Sequence, residues 1–205
     1  MGRPKVPLVD PEEVITTALQ IIDDEGLTAL SLRRLGTELG VTGTALYHHF
    51  ADKDAILRGV VESVLAREIL PTITGGTWEE YVTVSVTRYY SALLAHPNVA
   101  PLLRPHGQAL DNPSREYIVT LMFEAGVPEQ LCYPIIDSIE MLAFGSAMTY
   151  SRRQPLRERL GLDGRRGQPN LRKAVKATPN SPERLFRLEV EAMMTGWKAL
   201  IAEQS

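Results

Sequence analysis

Residues 42–53, TGTALYHHFADK, collect two threonines, Tyr47, the adjacent His48 and His49, and Lys53 within twelve positions. Three chemistries could use such a set. Metal binding is disfavoured, because neighbours on a helix point about 100° apart and no third ligand stands nearby in the sequence. Catalysis finds no support either. The other two histidines, His96 and His106, have no serine or cysteine nucleophile in a recognisable motif beside them. The single cysteine, Cys132, reads as a small packed hydrophobe. We therefore expect no metal, no cofactor and no enzyme. What remains is recognition: hydroxyls, an imidazole and cations offered to a partner rich in acceptors.

Such groups need a scaffold, and the surrounding sequence supplies one. Ser31 can cap a helix over LRRLGTEL, Gly40 makes a tight turn, and Thr42 opens a second short helix carrying Ala45, Leu46 and Phe50. Leu35, Leu39, Val41 and Leu46 fall where two such helices pack, and Gly36 permits their close approach. The pattern is a helix-turn-helix. Its second helix presents N-terminal residues to a major groove, so polar groups should come first and apolar ones should turn inward. Thr42, Thr44, Tyr47 and Lys53 suit phosphate oxygens, while Arg33, Thr44 and His48 suit base edges. His49 is expected to pack at the helix edge. Arg3 and Lys5 form a flexible arm that could reach phosphates or a minor groove. The first 53 residues nevertheless carry five Lys/Arg against eight Asp/Glu, which implies a local electrostatic footprint and modest non-specific affinity.

The rest of the chain is also helical in period. Apolar residues recur at three- and four-residue spacing between Pro and Gly breaks, and no sustained alternation marks a sheet. The fold class is all-α. Asp10, Pro11 and Glu13 form a capping box for the first helix, Asp52 caps the fourth, and Pro71 closes it. Thr77 caps a helix to about His96, RPHGQALDNP reads as a loop, and longer helices run over 113–125, 128–150 and 182–202. LRKAVKA forms a short helix. We divide the chain into a DNA-binding domain, 1–52 with its arm 1–9, and a helical second domain, 53–205. At 205 residues and 44% apolar content the chain builds a sizeable core. Without a secretory signal or about 18 uninterrupted apolar residues, it is expected to be cytoplasmic with no membrane partner. Residues 152–176 hold nine Lys/Arg against two Asp/Glu. They read as a solvated connection, or alternatively, through Arg165 and Arg166, as an entrance attracting an anionic ligand.

The stretch ALSLRRLGTELGVTGTALYHHFADKDAIL resembles the DNA-binding domain of the tetracycline-repressor (TetR) family of bacterial transcription regulators, over about residues 8–65. TWEEYVTVSVTRYYSALLAHP and RLFRLEVEAMMTGWKALIAE are similar to its ligand-binding domain. The resemblance implies a homodimer on a palindromic operator, released by a small-molecule inducer, and gives the second domain, 53–205, a regulatory role. By position, the family's DNA contacts fall on Arg33, Thr42, Gly43, Thr44, Tyr47, His48 and Lys53. The family's drug contacts are mostly replaced, by Ile69, Ser85, Leu103 and Ile118, with only the aromatic Tyr89 kept. That speaks against a tetracycline–magnesium complex and for a more apolar ligand.

A pocket between helices should be apolar with a few orienting polar groups. The expected set is Ser85, Tyr89, Leu103, His106, Ile118, Met122, Tyr133, Asp137 and Met141, any one of which alone is more simply packing. Ile139, Leu142, Gly145, Ser146, Met193, Met194, Trp197 and Ile201 lie on two wide stripes. Patterning alone fits an intramolecular core equally well; the resemblance implies a dimer interface. By the same analogy, PLLRPHG abuts the base of the fourth helix, where motion would reset the spacing of the heads. Two other readings stand beside this one: an all-α small-molecule-binding protein or enzyme whose helical hairpin merely packs, and a non-regulatory DNA-associated protein.

Overall fold

The structure, a computed structural model, describes residues 10–69, 75–107, 113–150, 156–162, 167–179 and 181–204. Helix α1 (Pro11–Glu25) begins where Asp10 Oδ1 accepts the Glu12 N–H at 2.9 Å. A 3-10 turn, Leu27–Ala29, leads to α2 (Leu32–Glu38), capped by Ser31 Oγ on the Arg34 N–H at 3.1 Å. After α3 (Gly43–Leu46), Asp52 Oδ1 takes the Ala55 N–H at 2.7 Å and starts α4 (Lys53–Val64). Each cap satisfies an N–H that the helix itself leaves without a partner. Pro71, expected to close α4, lies outside the described residues; a π-helical turn, Leu65–Ile69, follows α4.

Further along come α5 (Trp78–Ala95), α6 (Ala100–Gly107), α7 (Pro113–Glu124), α8 (Glu129–Tyr150), α9 (Leu156–Arg159), α10 (Pro169–Ala177) and α11 (Pro182–Gln204). No strand occurs among the described residues. A reciprocal capping box opens α5: the Glu80 N–H donates to Thr77 Oγ1 at 3.2 Å, and the Thr77 N–H to Glu80 Oε2 at 3.0 Å. The segment RPHG is helical rather than loop. The His96 carbonyl accepts the N–H of Val99 and Ala100, and burial of Val99, Ala100, Leu102 and Leu103 outweighs the two prolines. The basic connection likewise contains a helix, α9.

Compactness divides the chain into two units, Met1–Leu70 with Ala95–Asn112, and Pro71–Leu94 with Pro113–Ser205. Packing groups α4 and α6 with α1 in the first unit, so compactness sets no boundary at residue 53. In the first unit Val14, Ala18 and Ile22 of α1 meet Ile56, Val60 and Val61 of α4, all with no exposed surface. Each such side chain contributes about 1.5–3 kcal/mol by leaving water. The C-terminal end of α1 is tied to the turn before α6: Asn98 Nδ2 donates to the carbonyls of Ile22 and Asp23, both at 3.0 Å, and His96 Nδ1 lies 2.7 Å from Asp23 Oδ2.

The second unit is built on α8. By length and composition this helix could cross a membrane, yet Cys132, Ile135, Ile136, Ile139 and Ala143 are buried and the helix packs on α7 and α11. Tyr90 stacks on Phe186 of α11 at 4.0 Å between ring centroids, and Tyr81 meets Tyr117 edge-on at 5.0 Å.

Candidate nucleic-acid interface

Helices α2 and α3 pack at the distance a helix-turn-helix requires, and Gly36 is the reason. A Cβ there would stand 2.7 Å from the Val41 carbonyl oxygen and 3.3 Å from the Gly43 nitrogen. Gly40, with φ +65°, makes the turn in the left-handed region that glycine tolerates. Ala45, Leu46 and Phe50 are buried and anchor the motif.

The opposite face is exposed. Thr42, Thr44, Tyr47 and His48 point to solvent, and Gly43 is half-buried. The Thr42 hydroxyl makes no cap bond although it sits at the N-cap position. His49 corrects an expectation: it is as exposed as His48, because α3 ends at Leu46 and residues 47–49 form an outward turn before Phe50 folds back. Among the described residues no group of three or more His, Cys, Asp or Glu could hold a metal ion.

The structure separates two adjacent arginines that spacing could not. Arg34 is bound to Glu25 at 2.7 Å and to Glu38 at 2.8 Å, and those carboxylates, Glu38 first, raise its pKa. Arg33 is exposed, and its guanidinium has no acid partner among the described residues. It is the one with donors to spare. Lys53 is half-buried, and its ammonium donates to the Leu30 carbonyl at 2.6 Å and the Leu27 carbonyl at 3.5 Å. Arg3 and Lys5 lie outside the described residues.

The expected ligand residues divide. Leu103 is buried in the first unit, and the side chain of His106 lies outside the described residues. In the second unit Ile118 and Met122 are buried, while Ser85, Tyr89 and Asp137 are half-buried. Ser85 Oγ is buried without a hydrogen-bond partner among the described residues, and so is Tyr90 Oη, which the sequence reading did not single out. Burial, then the nearby Glu183, Tyr150 and Glu189, pushes the Tyr90 hydroxyl up to about 12. Tyr133 corrects an expectation: 67% exposed, it stands on an outer face of α8, while Met141 is 42% exposed and borders an open groove. A half-buried ion pair also went unforeseen. Arg115 of α7 binds Glu140 of α8 through two bonds of 3.1 and 2.7 Å. Burial works against the arginine's charge, but Glu140 together with Tyr133 and Tyr89 outweighs it and the net pKa shift is upward. Arg165 and Arg166 lie outside the described residues.

The expected interface stripes also divide. Ile139, Ser146 and Met194 are buried within the single chain, so their side chains are not on a free face. Trp197 is half-buried and donates to Ser138 Oγ of α8 at 3.0 Å. Leu142, Met193 and Ile201 are half-buried, whereas Gly145 is exposed. Met141, Leu142, Gly145, Ser146, Thr149, Tyr150 and Glu189 line an open groove of about 320 Å3. Leu188 and Leu200, 52% and 43% exposed, are the large apolar residues α11 presents to solvent. An apolar stripe announces burial but not whether its own chain supplies the cover.

A backed, close-packed helix pair with a polar outer face, followed by a helical second unit, defines a helix-turn-helix DNA-binding protein. The known proteins that this chain is similar to agree. Residues 14–60 match the family of bacterial regulatory proteins, tetR family. The tetracycline repressor protein class E of Escherichia coli is 24% identical over 94% of this chain and 92% of its own length. An HTH-type transcriptional regulator of Saccharopolyspora erythraea is 29% identical over 47% of this chain, a match spanning only 41% of that protein. Among solved structures, apo ActR of Streptomyces coelicolor shares 26% identity with a TM-score of 0.76, covering 97% of this chain and 99% of its own. The chain thus matches the TetR family of bacterial transcription regulators over residues 14–60 and is similar over nearly its full length to a tetracycline repressor and to ActR.

Proposed function

We propose that this protein is a repressor that binds a palindromic operator as a homodimer and leaves it when a small molecule binds. In this reading residues 1–52 read DNA, residues 53–205 regulate, and the protein works in the cytoplasm beside its DNA. The observation that carries it is the outer face of α2 and α3. Arg33, without an acid partner among the described residues, and exposed Thr42, Thr44, Tyr47 and His48, stand over buried Ala45, Leu46 and Phe50. Such a face offers donors to phosphates and base edges and has no packing role of its own. The test is fluorescence anisotropy against duplexes from the flanks of its gene. Arg33→Ala should cost about 1–3 kcal/mol of specific binding and relax the sequence preference at one base pair. Equal binding to every duplex, lost at moderate salt, would sink the reading.

Dimerisation through α8 and α11 is supported by glycine. A Cβ at Gly145 or Gly196 would meet nothing within 4 Å, although each helix-interior glycine costs about 1 kcal/mol against alanine. A partner helix lying close over them gives both a use. Gly145→Leu and Gly196→Leu should leave the helical content unchanged and shift the mass in light scattering from dimer to monomer.

The inducer we propose is an apolar aromatic molecule with hydrogen-bonding groups, received in the second unit. Ser85 Oγ and Tyr90 Oη, buried without partners among the described residues, support the polar contacts, and the aromatic side chains of α5, α7 and α11 the apolar ones. ActR has been solved in complex with actinorhodin, which makes that compound a sensible first candidate. Release follows only if the ligand favours a conformer with wrongly spaced heads. Operator affinity unchanged by compounds shown calorimetrically to bind would count against it.

A further inference from the structure

Lys53 is the first residue of α4 and stands immediately after the N-cap Asp52, a position from which a lysine could reach a DNA phosphate. Its ammonium goes elsewhere. It donates to the Leu30 carbonyl at 2.6 Å and, more weakly, to the Leu27 carbonyl at 3.5 Å. Leu30 is the C-cap of the 3-10 turn Leu27–Ala29, so its carbonyl lies at the end of the turn, whereas the Leu27 carbonyl at the start of the turn already accepts the Leu30 N–H. A helical end leaves carbonyls without N–H partners and carries partial negative charge, so a cation there is held by hydrogen bonds and by the dipole together. Leu30 is 1% exposed and the side chain of Lys53 is half-buried, so the contact lies at the edge of the core.

Ser31 follows Leu30 directly and caps α2, and Arg33 is two residues further on. The lysine therefore ties the start of α4 to the start of α2. We infer that Lys53 is a positioning residue for the DNA-reading face: it sets where α2 begins and hence where Arg33 points, and it does not act as a phosphate contact. This rests on the DNA-binding reading above.

Salt dependence separates the two roles. A phosphate contact releases a counterion, so its loss lowers the slope of log K against log salt by about 0.9 for each head. A positioning residue changes affinity without that fall. We would measure operator binding by anisotropy across a salt series for the full chain, Lys53→Met and Lys53→Gln, then repeat Lys53→Met on an Arg33→Ala background. The expected result is a loss of about tenfold for Lys53→Met, the size of one hydrogen bond to a charged group, with the slope kept. Lys53→Gln, which retains an uncharged donor, recovers part of the loss. On the Arg33→Ala background the effect of Lys53→Met shrinks to about twofold or less, because the two residues act through one contact. A slope lower by about 0.9 per head, with Met and Gln equally impaired and additive with Arg33→Ala, overturns the inference. So does unchanged operator affinity in Lys53→Met. Failure of the unsubstituted chain to prefer any duplex would instead strike the DNA-binding reading itself. Lys53→Gln keeps the comparison open should Lys53→Met unfold.

Discussion

Replacing Tyr90 with phenylalanine should make the free protein more stable and a worse receptor. Tyr90 is 2% exposed, its ring stacks on Phe186 at 4.0 Å and 14°, and its hydroxyl is buried without a partner among the described residues. Holding a hydroxyl out of water with no hydrogen bond costs about 1–3 kcal/mol. Tyr90→Phe keeps ring and stack and removes that cost. The expected gain is about 1–2 kcal/mol in urea unfolding followed by circular dichroism, or about 2–4 °C in Tm per kcal/mol for a chain of this size. Protein concentration must be held fixed, because the stability of the dimer proposed above would depend on it. The pH dependence has a definite sign. The folded hydroxyl is pushed up from 10.0 to about 12, so the folded state keeps a proton that the unfolded chain releases first. Stability is fully present below pH 10 and is lost as pH rises from 10 through about 12, by about 2–3 kcal/mol in all. Tyr90→Phe should lack that loss. If the hydroxyl is a ligand anchor, the same variant should bind an inducer about tenfold more weakly. A loss of stability greater than about 1 kcal/mol in the free variant would refute the reasoning, since it would mean the hydroxyl is satisfied in the folded chain.

Gly36→Ala should cost about 1–3 kcal/mol and abolish operator binding. Its Cβ would stand 2.7 Å from a backbone oxygen that side-chain rotation cannot move, and thermal melting with anisotropy reads both effects. Asn98→Ala removes two bonds to the last carbonyls of α1 and should destabilise the protein by about 1–2 kcal/mol in urea titration; no change would mean that water replaces the amide fully. Arg115→Gln should destabilise more than the double variant Arg115→Gln/Glu140→Gln, because the single change strands a half-buried carboxylate. Equal midpoints in denaturant would contradict that.

Local chemistry made most of the helical framework legible. Asp10, Ser31, Asp52 and Thr77 are caps whose partners lie two or three residues away, and the structure uses all four. Gly36 and Gly40 were readable for the same reason. What escaped depends on distant residues. Arg34 meets Glu25 nine positions away, which leaves Arg33 available; Lys53 turns back to Leu30; Arg115 finds Glu140 across two helices. The helix from Ala100 is held by burial that its prolines and glycine conceal. Core and interface were confused for a physical reason as well. Ile139 and Met194 inside, and Leu188 and Leu200 outside, obey one helical period, and hydrophobicity carries no information about which chain will cover them.

The acidic balance of the first 53 residues looked at odds with a DNA-reading role, and the ion pairs resolve much of that conflict. Asp10 and Asp52 are spent on helix N–H groups, Glu12 pairs with Arg67, Glu25 and Glu38 share Arg34, and Asp23 faces His96. Asp54 is bound to Arg58. Six of the eight acids of the first 53 residues are thereby drawn onto caps and partners, while Arg33 stays available at the face that also presents Thr42, Thr44, Tyr47 and His48. Hydroxyls and an imidazole dominate that face. Hydroxyl donors release no counterions, so binding through them should weaken only gently with salt compared with a lysine-rich head. Discrimination then rests on geometry, above all on where α2 begins and how closely α3 lies against it. That is why a glycine without a side chain and a lysine turned inward matter to recognition as much as the side chains that reach outward.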